Sequence, residues 1–242
     1  MRYLILLLLV TSVFCNHSSG QSLKFGLHTG FGFYSMPNLG EINNSVSEDL
    51  PFDTKIVADF PPYWNYNTSL LLGFKNFNIG INYSFQSTGS RVSAKDYSGD
   101  YHFDMKVKAN SAGIYGDIVY SPYKKIEISF YSKLNIAFSN LEIAECLMIS
   151  DSSLMNSTYE FKSVNYYFEP GLNFAYSITK YLDIGMYAGY LIGFGSQAFY
   201  SVKDKDYKLY NPNNYNTIKP EWNGFRIGLS IYYTFIKKEF KQ

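Results

Sequence analysis

The feature that most constrains this chain is a two-residue alternation that returns eight times, in segments joined by connections that are alternately short and long. Successive side chains of a strand point to opposite faces, so period two with one apolar face marks β-strands set between two different environments. The stretch NGFRIGLSIYYTF is the clearest case: Phe225, Ile227, Leu229, Ile231, Tyr233 and Phe235 share one face, and Gly224, Arg226, Gly228, Ser230, Tyr232 and Thr234 the other. Earlier segments at 23–34, 65–74, 77–85, 110–120, 126–138, 164–176 and 182–194 repeat the pattern. Each offers roughly the ten residues with which a tilted strand crosses a bilayer. Pro170 sits within the sixth, lacks a ladder donor, and predicts a bulge or local irregularity there.

Lys75-Asn76, the SPYKK turn and Thr179-Lys180-Tyr181 are the short connections, whereas 35–64, 86–109, 139–163 and 195–221 are long. Short periplasmic turns and long extracellular loops are what an up-and-down barrel in an outer membrane shows. The sequence therefore predicts an all-β fold, an eight-stranded antiparallel up-and-down transmembrane β-barrel with short periplasmic turns and long extracellular loops. The first long loop, with Asn43, Asn44, Glu48, Asp49 and Asp53, and the last, with KDKDYKLYNPNNYN, read as solvated surface. YHFDMKVKA (101–109) also alternates, one residue out of phase with Ala112 onward, and predicts a protruding hairpin with a bulge near Asn110.

Which face meets lipid follows from composition. The face opposite the large apolar residues is rich in Gly and small polar residues, which suits the inside of a narrow barrel and would be wasted on a solvated exterior. A soluble lipocalin-like barrel or β-sandwich, with its apolar face inward, is the alternative this disfavours. Aromatics gather at the segment ends, with Phe74, Tyr120, Tyr181 and Phe235 toward the short turns and Phe33, Tyr66, Tyr83, Phe85 and Tyr166 toward the long ones, as two interfacial girdles would.

Residues 1–20 read as a signal peptide: Met1-Arg2, the apolar run YLILLLLVTSVF, and Ser18-Ser19-Gly20 before a cut at Gln21. The run is short for a membrane helix of about 20 residues. Residues 21–242 are then the barrel domain. Cys15 raises a lipoprotein reading, opposed by the bulky Phe14 before it, and cleavage after Gly20 leaves Cys146 as a single thiol with no internal disulfide. Lys and Arg number 21 against 20 Asp and Glu, with Arg2 in the leader, so no basic surface for nucleic acid is expected.

The inward positions carry Lys24, Lys133 and Arg226 with Asp117, Glu127, Glu169 and Asp183. So many charges in so narrow a lumen need partners, since a lone buried charge is costly, and they are expected to form a polar network that plugs the barrel. Arg226 with Glu169 or Glu127 is the preferred pair, because the guanidinium fork offers several fixed donors. No catalytic, cofactor or metal site is expected. His28 and His102 are the histidines beyond the leader, no serine stands in a G-x-S-x-G context, and Asp204 and Asp206 read as a solvated loop. His28 is expected to be an interior hydrogen-bonding residue.

With its signal peptide, Gln near the mature start, eight alternating segments and aromatic final strand, the chain resembles the PorT-like outer-membrane β-barrels of Bacteroidetes-type bacteria, and more loosely the OmpA-like and OmpX-like barrels. The resemblance covers 21–242 and includes no catalytic motif. It implies recognition of the last strand by the outer-membrane assembly machinery, with Phe235 as the matching aromatic, although IKKEFKQ follows and Phe240 is the other candidate. The expected protein is a non-enzymatic, monomeric barrel in the cell outer membrane, with the lipid bilayer and the assembly machinery as partners. Its long loops would serve structural, interaction or envelope-accessory roles toward envelope or surface proteins. A narrow channel for ions or small solutes is the alternative.

Overall fold

The structure, a computed structural model, describes residues 22–34, 36–74, 76–97, 99–149 and 152–237; for 152–154, 236 and 237 it describes the backbone only. The signal segment 1–20, Cys15, Gln21 and Phe240 lie outside the described residues.

All eight alternating segments are strands, and several run far beyond their sequence limits. The elements are β1 (Ser22–Tyr34), α1 (Pro37–Asp49), β2 (Lys55–Asp59), β3 (Tyr63–Gly73), β4 (Phe77–Lys95), β5 (Gly99–Tyr123), β6 (Ile126–Ile149), β7 (Ser152–Ser177), β8 (Leu182–Ser196), β9 (Tyr200–Ser201) and β10 (Gly224–Lys237). One antiparallel sheet runs β2-β4-β3-β1-β10-β8-β7-β6-β5, and β4 also pairs with β5, so the sheet closes on itself. The expected clean eight-stranded barrel is corrected: the sheet has ten strands among the described residues, and a helix accompanies it. The short β2 and β9 lie outside the closed circuit, on β4 and β7, at residues that the sequence reading assigned to loops.

Strands β5, β6 and β7 are 25, 24 and 26 residues long, more than twice the roughly ten needed for a crossing. Their two halves have opposite polarity. In the lower half Ile114, Ile118, Phe130, Leu134, Ile136, Phe168 and Phe174 are exposed on the outside, and Ser111, Tyr115, Asn135, Tyr167 and Asn173 are buried inside. In the upper half the inner face is Phe103, Met105, Val107, Leu141, Ile143 and Phe161, all buried, while Lys106, Asn140, Glu142, Glu160 and Lys162 face out.

The expected bulge near Asn110 is therefore absent: β5 pairs with β4 and β6 in unbroken register through Ala109, Asn110 and Ser111. The shift of phase in the sequence records an exchange of surroundings across a straight strand. Below it the apolar side chains face outward; above it they face a core of their own. At Pro170 the strand does show an irregularity, since the ladder to β8 lapses between Phe168 and Gly171 and slips register between Tyr166 and Tyr167.

The upper core is completed by the two long connections expected to be solvated, a second correction. Leu39 and Ile42 of α1, with Phe60, Phe199, Ile218 and Trp222, are buried against the inner faces of the projecting strands. Asn43 is fully buried too, donating to Asp59 and accepting from Ser90. The helix forms because Leu39, Ile42, Asn43 and Val46 fall at the spacing of one helical face, and Pro37 occupies its first turn, where a missing N–H matters least.

The polarity inversion is testable on one strand. Ile114→Arg, near the middle of the lower outward belt, should destabilise the folded protein in phosphatidylcholine vesicles by about 2–4 kcal/mol, whereas Lys106→Ile should stay within about 0.5 kcal/mol. Equal, small effects in denaturant unfolding would mean that the belt faces water.

Candidate functional site

The lumen is built from the inward rungs of the lower half. Lys133 and Glu169 are directly opposed on β6 and β7, the arrangement in which cross-strand side chains meet most closely. Arg226 lies between Gly32 of β1 and Gly189 of β8 on its rung. The space that Gly32 leaves is filled by the Tyr34 phenol. Gly171 and Gly189 also leave the space that the Tyr131 phenol fills, since a Cβ at either would collide with it.

These placements converge on one carboxylate. Glu169 Oε2 accepts from Arg226 Nη1 at 2.8 Å, and Oε1 accepts from Lys133 Nζ at 3.2 Å and from the Tyr131 hydroxyl at 3.1 Å. All three charged side chains are at most 3 % exposed. Arg226 Nη2 donates to Gln86 Oε1, and the guanidinium stands 5.8 Å from the Tyr34 ring centre. The cluster carries two cations and one anion, and tyrosine faces temper the surplus. Lys133 Nζ sits 4.8 Å from the Tyr131 ring centre and 5.9 Å from those of Tyr115 and Tyr187.

The remaining charged positions form a second group toward the short turns. Lys24 lies 3.7 Å from Glu127. Asp117 accepts from the Asn78 backbone N–H at 3.1 Å and its amide at 2.6 Å, and from Tyr115 at 3.0 Å. Asp183 joins Lys24, Asp117 and Glu127 around a cavity of about 10 Å³, at the lower limit for one water. So Lys133, Glu169 and Arg226 make one cluster, Lys24 with Glu127 a second pair, and Asp117 and Asp183 border that pair.

His28 is buried between them, edge-on to Tyr187 at 5.2 Å and Tyr232 at 5.3 Å, and neither ring nitrogen meets a protein partner. Gln86 and Tyr34 are the members that sequence reading did not place in the lumen. Gln86 continues the β4 alternation one step past Phe85, and that continuation was the available signal. Phe235 is exposed on the outer face near the end of β10, against the Tyr233 ring at 5.0 Å. Among the described residues no group of three or more His, Cys, Asp or Glu is placed to hold a metal ion.

Above the lumen, the last connection is fastened across its opening. Trp222 Nε1 donates to Ser139 at 3.0 Å, and its ring meets Tyr34 edge-on at 5.0 Å. Asn38 of α1 donates to Glu221 at 2.7 Å, and Asn211 donates to Glu41. Burial, above all, pushes the Glu221 carboxyl above its ordinary range, against the hydrogen bond from Asn38, and its Oε2 is buried without a partner.

No protein-family model matches the sequence, and no curated protein is similar to it. Among solved structures, a major outer membrane protein of Thermus thermophilus is similar at 14% identity and a TM-score of 0.48, over 88% of this chain and 99% of that one. The attachment invasion locus protein Ail of Yersinia pestis, in complex with the heparin analogue sucrose octasulfate, is similar at 11% identity and 0.38, over 90% and 99%. Neisserial surface protein A is similar at 8% identity and 0.33, over 89% and 97%.

Two outcomes follow from this geometry. Glu169→Ala strands two buried cations and should destabilise by about 3–5 kcal/mol, while the triple change K133M/E169M/R226M should recover most of that loss; denaturant unfolding in detergent reads both. Because the Glu221 pKa is raised on folding, its contribution is fully present below the ordinary carboxylate pKa and is lost as pH rises through the raised value. The protection factor for hydrogen exchange at the Trp222 amide, taken against the intrinsic rate at each pH, should fall over that window in the parent protein and not in E221Q.

Proposed function

We propose that this protein is a non-enzymatic β-barrel of the cell outer membrane whose lumen is plugged by its own side chains, and which acts through the structure above its lipid belt. The observation that carries the reading is the polarity inversion along β5, β6 and β7. An outward belt of exposed Ile, Leu and Phe suits lipid, and a charged outer face over a separate apolar core suits water. The Lys133, Glu169 and Arg226 cluster fills the middle of the lumen, the cavity of about 10 Å³ lies below it, and Trp222, Phe199 and Ile218 are packed above it.

The projecting strands, α1 and the strapped last connection form a shaped surface, so the reading assigns interaction with envelope or surface proteins to them. PorT-like kinship and an accessory role in the envelope belong to the same reading and rest on architecture alone. The protein acts as a monomer with the bilayer around it, and Phe235 is its assembly signal.

A narrow channel is the second reading, favoured by buried polar atoms of His28, Asn67 and Ser69 that lack protein partners and would suit a file of water. Planar-bilayer recording of the refolded full chain separates the two. The plugged barrel gives no steps, and K133M/E169M/R226M leaves that unchanged. Steady steps in the parent protein would overturn the plug and establish conduction.

A further inference from the structure

The outer face of the projecting strands meets the apolar belt along a sharp line on β5, β6 and β7. The last rung of the belt is Asn110, Phe138 and Val164, and the next is Lys108, Asn140 and Lys162, opposed in register across the three strands. One rung higher stand Lys106, Glu142 and Glu160. Among the described residues no carboxylate lies within 4.0 Å of Lys106, Lys108 or Lys162, so the three ammonium groups are unpaired although two glutamates share their face. A groove of about 260 Å³ opens over them.

The order of the rungs matters more than their net charge. Two lysines flanking an amide occupy the level immediately beyond hydrocarbon, where lipid phosphates stand, and the carboxylates are held one rung farther from the lipid. Strands about 4.8 Å apart put the Lys108 and Lys162 backbones roughly 10 Å apart, a gap that two lysine side chains close around one phosphate. Asn140 between them supplies a neutral donor.

We propose that Lys108, Asn140 and Lys162, with Lys106 above them, bind the phosphate of an anionic lipid headgroup in the outer leaflet, its acyl chains lying along Phe138 and Val164. The proposal rests on the membrane reading given above. The site fixes one lipid against β6 and sets the depth at which the projecting strands leave the bilayer.

The test uses the full mature chain refolded in phosphatidylcholine vesicles containing phosphatidic acid, then released into detergent for native mass spectrometry. Phosphatidic acid should be retained over phosphatidylcholine, and K108Q/K162Q should weaken retention by about fivefold for each lysine removed. K205Q/K208Q, the same charge change in the last connection, should leave retention unchanged, and excess inorganic phosphate should not displace the lipid. Equal retention by K108Q/K162Q, or displacement by phosphate, overturns the lipid site. Heat-modifiable migration is read on every sample: a parent chain that fails to insert overturns the membrane reading as well, whereas inserted protein without selectivity overturns this site alone.

Discussion

Backbone hydrogen bonding is the constraint on which everything else here depends. In hydrocarbon no water is available to an open N–H or C=O, and a sheet meets that demand only by returning to its first strand. The chain does so through the pairing of β4 with β5, which closes the circuit that runs from β4 round to β5. Closure fixes a narrow inside and a long outside, and the two faces of each strand must then suit unlike surroundings. Above the belt the demand on the backbone relaxes, because water can satisfy an edge. There the circuit opens into projecting strands of unequal length, and β2 and β9 attach to them as partial cover.

That single demand explains why one ladder supports two cores of opposite character. A lumen lined by large apolar groups beneath a lipid-facing apolar belt would give a strand with no polar face, free to slip in register. Polar side chains inside prevent this, because Asn82 with Asn135, Ser84 with Ser111 and Ser230 with Asn173 each hydrogen-bond between strands and penalise a slip. Once the outer face meets water, the argument reverses and the apolar residues move inside. The unbroken register through Asn110 lets the backbone pass this boundary with no local distortion.

How much of this could be read from the sequence follows from the same physics. The alternation exposes every strand of the closed circuit, because period two survives whichever face is apolar. Lys24, Asp117, Glu127, Lys133, Glu169, Asp183 and Arg226 stand out in the sequence as inward candidates because each sits on the small, polar side of its strand. The upper halves of β4 to β7 fall in stretches that the sequence gives as long connections, with 101–109 continuing as a protruding hairpin, and the change of phase at its foot resembles a bulge when the surroundings are assumed constant. The helix was hidden among Asn, Ser and Glu residues typical of a loop, although Leu39, Ile42 and Val46 already had helical spacing. The ten-stranded sheet was missed for a simpler reason: β2 and β9, five and two residues long, are too short to show a period.

The charged cluster is best understood as a consequence of glycine placement. Arg226 could face any of several carboxylates, and the preference for Glu169 over Glu127 was open from sequence. In the structure Gly32 and Gly189 flank the guanidinium on its own rung, and Gly171 and Gly189 make room for Tyr131 to hydrogen-bond the same carboxylate. Glu127 pairs instead with Lys24, nearer the short turns. Residues that have no side chain thus help decide which charges meet inside a narrow barrel: the volumes freed by Gly32, Gly171 and Gly189 hold the Tyr34 and Tyr131 phenols, and Tyr131 hydrogen-bonds the carboxylate that both cations share.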